Sequence, residues 1–186
     1  RGLGDVYKRQ EYVYTPDSNQ NYWTQLFLSL GVDVVIGTHP HVLEPVEVVS
    51  DTKGHEMLVY YSLGNFVSNQ DQKPRMIGGM AKMTLVKDET GCYVKNYNLT
   101  PVITQKLFGK KAITTYKLSD YTESLASGNA IRNDSGCSDF SLSYCQTLVK
   151  QILGDDYDES TSELNVSLHP DGLVKDTSCL LYTSPS

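Results

Sequence analysis

Apolar positions along this chain change period, from helical spacing to strand spacing, and the change divides it. After Pro16-Asp17-Ser18, a proline near a first turn with a polar cap, Trp23, Leu26, Phe27 and Leu30 recur at 3.6-residue spacing, and Gly31 is placed to stop the run. The pattern predicts a helix. The run through Val32–Ile36 is short and apolar, as a strand buried on both faces is. A helix, a tight turn, a buried strand and then a polar loop form half of an α/β unit, with functional groups at the strand's carboxyl end.

The spacing then becomes antiparallel. Val46–Ser50 and Met57–Ser62 are β-branched and aromatic runs separated by Asp51-Thr52-Lys53-Gly54, a hairpin signal with glycine at the left-handed position. Gly79–Lys87 alternates Met80, Lys82, Thr84 and Val86 against Ala81, Met83 and Leu85, which gives one apolar face. A turn at Asp88–Gly91 leads to a returning strand, Cys92–Leu99. Past Pro101 the signal weakens: Tyr121–Ala126 reads as a short helix, and Ser138-Asp139-Phe140 opens a longer one with Phe140, Tyr144, Leu148 and Ile152 on one face and Gly154 at its end. From Asp155 through Glu159 and onward the chain is acidic and polar, and reads as surface loop or disorder.

Neither end continues the texture of its neighbour. One choice of codons for Arg1–Gln10, read on the complementary strand one base in, translates as Cys179–Ser186. Residues 1–10 and 179–186 are therefore expected to be adapter-derived and non-native. The protein proper then runs from Glu11 to about Ser178, with sequence expected to be missing on the N-terminal side.

Composition removes several function classes. The net charge is −6, and because Arg1, Lys8 and Arg9 outweigh Asp5 by two, the rest of the chain stands at −8. An acidic chain whose one adjacent basic pair outside the ends is Lys110-Lys111 is a poor nucleic-acid binder, since phosphate neutralisation needs clustered cations. No apolar run approaches the length of a membrane span. Thirteen tyrosines against four phenylalanines suit a polar-faced sheet or an extracytoplasmic surface. Without a Cys-x-x-Cys there is no cysteine-based zinc site; Cys137 and Cys145 either pair across a turn or stand as free thiols.

The chemistry concentrates in Gly37-Thr38-His39-Pro40-His41, at the end of the Val32–Ile36 run. In an extended segment His39 and His41 point the same way, and Pro40 biases His39 toward that conformation. Two pre-ordered neutral imidazoles suit a metal, with the Thr38 hydroxyl supporting them from behind; a rigid surface turn is the other reading. Glu44, Glu47 and Asn65 are the nearest further candidates. Glu47 in a β-rich stretch meets a cation, a histidine N–H or water, or sits on a hairpin edge. Gly64-Asn65 is either a turn or part of the site. His55 and His169 read as solvent-exposed.

These stretches together resemble the CapA family of poly-γ-glutamate capsule-synthesis proteins, whose domain is similar to a calcineurin-type metallophosphoesterase. Glu11-Tyr12 match the end of that family's His-Trp-Gly-x-Glu-Tyr, and Gly31–His41 match its Gly-x-Asp-x-x-x-Gly-x-His-Pro-His. Pro45-Val46-Glu47 match Pro-x-Glu, and Tyr61–Phe66 match Tyr-Ser-Leu-Gly-Asn-Phe. The resemblance implies a fragment of a metallophosphatase-like α/β/β/α sandwich with a run of antiparallel β-hairpins. Residues 11–118 would be the C-terminal part of that domain and 119–178 a helical and polar extension. It implies His39 and His41 as metal ligands, with Thr38, Glu47 and Asn65 around the same cavity, and two divalent ions (Mn, Zn or Fe) in the intact parent. The family's earlier ligand motifs precede Glu11, and the histidine of His-Trp-Gly falls at Tyr7, so this chain alone is expected to bind metal poorly and to catalyse nothing. The implied partners are an anionic polymer or phosphoester substrate and capsule-synthase proteins of the membrane. The implied location is the extracytoplasmic cell envelope, with an anchor in the preceding sequence. The alternative is a non-catalytic envelope component that binds polymer or synthase.

Overall fold

The computed structural model describes residues 14–89, 91–107 and 112–168. The two adapter-like ends, Lys110-Lys111 and His169 lie outside the described residues.

Helix α1 (Ser18–Ser29) starts where its sequence dictates. The Asp17 side chain accepts from the Gln20 backbone N–H while the Gln20 side chain accepts from the Asp17 N–H, a reciprocal capping box. Its buried face differs from the expected stripe. Gln20, Thr24 and Leu28 are buried, whereas Leu30, just past the last turn, is 69% exposed. The helix rests on one face of a sheet, where Gln20 donates to the buried Glu44 and Leu28 meets the central strand, so Leu30 is turned away.

Strands β1 (Val34–Ile36), β2 (Val46–Ser50) and β3 (Glu56–Tyr60) form a three-stranded sheet in the order β1-β3-β2, with β1 parallel and β2 antiparallel to β3. The expectation that β1 is buried on both faces is corrected. It is an edge strand, and Ile36 is 52% exposed. The central position belongs to β3, and its alternation divides two cores. Met57, Val59 and Tyr61 pack with Leu28 of α1, while Leu58 and Tyr60 join the main core. Asp51 closes the β2–β3 turn by accepting from the Lys53 and His55 backbone N–H groups. His55, expected in solvent, is buried there, its Nε2 3.0 Å from the Val32 carbonyl.

The second sheet holds β4 (Ile77–Asp88), β5 (Gly91–Leu107), β6 (Ala112–Lys117), β7 (Tyr157–Asp158) and β8 (Glu163–Ser167), in the order β4-β5-β8-β7, with β6 also on β5. The expected apolar face of β4 holds only to a bulge between Thr84 and Leu85; beyond it the register shifts, and Leu85 is 60% exposed. Strand β5 runs through Pro101. This residue, which cannot donate to a ladder, falls at Thr100–Pro101, between the β8 pairing (Asn96–Leu99) and the β6 pairing (Val102–Leu107). The loop or disorder expected from Asp155 onward is also corrected, because β7 and β8 pair there and β8 is held by β5.

Helix α2 spans Glu123–Ser127. Helix α3 (Leu142–Leu153) is capped by Ser141 and ended by Gly154 at φ 69°, so Phe140 precedes the helix yet is still fully buried. Stretches on both sides of residue 118 share one core, in which Leu58, Tyr60 and Leu99 meet Phe140, Cys145 and Val149. Cys137 and Cys145 are free, buried thiols, and burial pushes Cys145 up to about 12. The result is an α/β fold in which one helix-backed mixed sheet packs on a hairpin-built antiparallel sheet.

Candidate functional site around His41 and Asn65

The His-Pro-His loop leaves the carboxyl end of β1 at Gly37. The Gly37 N–H donates to the Tyr60 carbonyl at 2.6 Å, and its own carbonyl accepts from Leu63 N–H at 3.1 Å. Two chain segments are thereby drawn so close that a β-carbon on Gly37 would stand 2.0 Å from the Tyr61 carbonyl oxygen. Across the loop, Leu43 bridges Leu63 and Gly64 bridges Gly78, so Tyr61–Asn65 runs between the histidines and β4.

The histidines do not lie in the extended, alternating arrangement expected. His39 has φ 107° and His41 φ 60°, left-handed backbone that side chains with a β-carbon rarely adopt. Pro40 between them fixes its own φ but not theirs. The ring centroids are 6.2 Å apart with 37° between the planes, so the imidazoles remain neighbours by a different route. Backbone of this kind at residues with a β-carbon costs about 1–3 kcal/mol each and is held only where the surroundings enforce it.

Asn65 organises the pair. Its Nδ2 donates to the carbonyls of His41 (3.2 Å) and Arg75 (3.1 Å) and toward Ser68 Oγ (3.4 Å). Those acceptors fix the amide's orientation and leave Oδ1 facing His41 Nδ1 at 2.8 Å. An oxygen there can only accept, so His41 Nδ1 carries the proton and Nε2 keeps its lone pair. Holding one ring nitrogen by a protein acceptor so that the other can ligate is the usual support of a metal-binding histidine. Asn65→Ala is expected to cost about 2 kcal/mol through lost hydrogen bonds. Imidazole 15N shifts should show the Nδ1–H form of His41 in the wild type and a mixture in the variant; Nε2–H in the wild type would contradict the assignment.

Of the other candidates, Thr38 stands exposed between Gly37 and His39. Glu47 is on the α1 side of the sheet, where its charge and hydrogen bond, after burial itself, raise the Tyr61 hydroxyl pKa, with Thr24 opposing them. Sequence reasoning gave Glu44 no definite role. The structure buries it to 3% exposure, hydrogen-bonded by the Gln20 amide, with its backbone N–H on the Ser62 carbonyl. Desolvation outweighs the Gln20 bond and pushes its carboxyl up to about 7. The flanking Val42-Leu43 and Pro45-Val46 were the available signal that this carboxylate is carried into the interior.

Among the described residues, no three His, Cys, Asp or Glu side chains gather as a metal cluster. The donor set of this loop is two imidazoles, one with its lone pair fixed by Asn65. That chemistry fits borderline divalent cations and asks for further donors from outside the loop.

The model of the bacterial capsule synthesis protein family PGA_cap matches residues 8–70, a stretch that contains the histidine loop, Glu44 and the Asn65 turn. The PGA biosynthesis protein CapA of Bacillus subtilis (strain 168) is 34% identical over 93 residues, covering 50% of this chain and 22% of that protein. Over this stretch the chain is similar to CapA capsule-synthesis proteins. The capsule biosynthesis protein CapA of Bacillus anthracis is 34% identical over 61 residues, 33% of this chain and 14% of that protein. The chain thus spans less than a quarter of the length of either relative. No solved structure matches it.

Proposed function

We propose that this chain is the His-Pro-His-bearing part of a CapA-like capsule-synthesis protein of the cell envelope, which acts on an anionic polymer such as poly-γ-glutamate or on a phosphoester linked to its synthesis. The observation that carries this reading is the Asn65 amide holding His41 with Nε2 free to ligate. His39 and His41 would hold divalent cations (Mn, Zn or Fe), with the remaining donors from outside the described residues. When bound, such ions polarise a scissile bond and generate hydroxide from water near neutral pH. The chain's own residues position: Gly37 lets the loop leave β1 against Tyr61, Asn65 sets the His41 tautomer, and Glu44 anchors the loop to α1. Among the described residues no helix is long and apolar enough to cross a membrane. An extracytoplasmic location, an anchor outside this chain and contact with membrane synthase proteins belong to the same proposal.

The test uses the full-length protein in a capsule-forming cell. His39→Ala with His41→Ala is expected to lower both bound metal and polymer output about 10-fold or more. Unchanged polymer with unchanged metal content would end the proposal; lost metal with normal polymer would leave a non-catalytic envelope component.

A further inference from the structure

The outer face of the second sheet carries a polar groove of about 620 Å3 that the histidine chemistry does not use. Cross-strand rows floor it: Thr84, Asn96 and Ser167 in one, Lys82, Asn98 and Asn165 in the next. Glu163 staples these rows together. Its Oε1 accepts from the Thr100 hydroxyl at 3.0 Å, and its Oε2 accepts from the Asn98 and Asn165 amides at 3.3 Å each. Asn98 also donates to Asn165 Oδ1 at 2.7 Å. These bonds, led by Asn165, hold the Glu163 carboxyl below its usual range, and the Lys117 charge adds to them. The Glu163 carboxylate stays charged with its oxygens taken up by the floor, and the exposed Lys82 and Lys117 leave the groove one positive charge in excess.

The groove starts where the Asn65 turn ends. A β-carbon on Gly78 would point at the Asn65 carbonyl oxygen, 2.2 Å away, and the β4 register is unbroken from Gly78 to Thr84. Asn65 therefore covers the same face of β4 that presents Met80, Lys82 and Thr84. On β6, Thr115 donates to the Phe66 carbonyl at 2.6 Å, and Lys117 lies two residues on, on that same face. Phe66, 55% exposed, stands at the junction. The polar floor of the groove is thus separated from the Asn65 turn by Phe66 and Met80, on the same side of the sheet.

We propose that this groove binds an extended anionic polyamide, a γ-linked glutamate chain; the ligand class rests on the proposed role in capsule-polymer synthesis. Side-chain amides at strand and residue spacings of about 5 and 7 Å can pair with repeating amides, which both donate and accept. Lys82 and Lys117 match pendant carboxylates. The aromatic residue of the lining, Tyr97, is only 6% exposed, so the groove offers no stacking platform for sugar rings.

The test is fluorescence anisotropy of a labelled γ-glutamate decamer with the full chain, against Lys82→Gln plus Lys117→Gln and, separately, Lys53→Gln on the β2–β3 turn. We expect the lysine variant to bind about five-fold or more weakly, with wild-type circular dichroism, and added salt to weaken wild-type binding. The Lys53→Gln variant, which removes an exposed charge outside the groove, should bind the decamer as the wild type does. Decamer binding unaffected by the lysine changes would overturn the groove and leave the capsule reading standing. No decamer binding would also overturn it, the capsule reading then resting on polymer output in cells. Tighter binding of a uronate oligosaccharide than of the decamer would overturn the assigned ligand class.

Discussion

Gly37→Ala is expected to lower the stability of this chain by about 3 kcal/mol and its thermal midpoint by about 10 °C. In most places where φ is negative, alanine for glycine stabilises by about 0.4–1 kcal/mol, because the unfolded chain loses freedom. Here the steric effect wins. The added carbon would sit 2.0 Å from the Tyr61 carbonyl oxygen and 2.9 Å from that of Tyr60, both backbone atoms. Relief by rotation is blocked, since Gly37 is hydrogen-bonded through its N–H to Tyr60 and through its carbonyl to Leu63. The strands must separate, and the histidine loop moves with them. Differential scanning calorimetry decides the matter: a midpoint within about 2 °C of the wild type would show that the two segments do not approach this closely.

The second large effect is electrostatic. The Glu44 carboxyl is raised from 4.5 to about 7 in the folded chain, chiefly by desolvation. Between those values the folded state holds a proton that the unfolded state has released. Stability from this group is therefore fully present below about 4.5 and declines as pH rises through about 7, by at most about 3 kcal/mol. Glu44→Gln keeps a partner for the Gln20 amide and removes the titration. Urea melts should give the variant little advantage at pH 5 and an advantage approaching about 3 kcal/mol at pH 8. A difference that stays constant between the two pH values would mean that Glu44 is solvated.

Much of this structure could be read locally. The start of α1 was legible because its capping box is built from residues three apart, and the β2–β3 hairpin because Asp51 and Gly54 determine their own turn. What escaped depends on distant partners. Strand β8 alternates Leu164 and Val166 with polar residues, but that five-residue signal follows an acidic stretch. Its partner β5 lies more than sixty residues away, so it reads as loop. The buried face of α1 is set by Glu44, to which Gln20 donates, rather than by the hydrophobicity of Leu30. At the site, residue types and order point to His39, His41 and Asn65, which the structure places next to one another. The backbone of the loop was misread, because the preference that Pro40 imposes on His39 is overruled by contacts with the Asn65 turn.

That loop backbone has a consequence for the protein's history. Glycine would occupy the φ angles of His39 and His41 more easily than histidine does, so a lineage selected for folding alone should drift toward glycine there. Imidazoles kept at both positions across a set of relatives would then be a record of use, and an idle copy would gain robustness first by losing them.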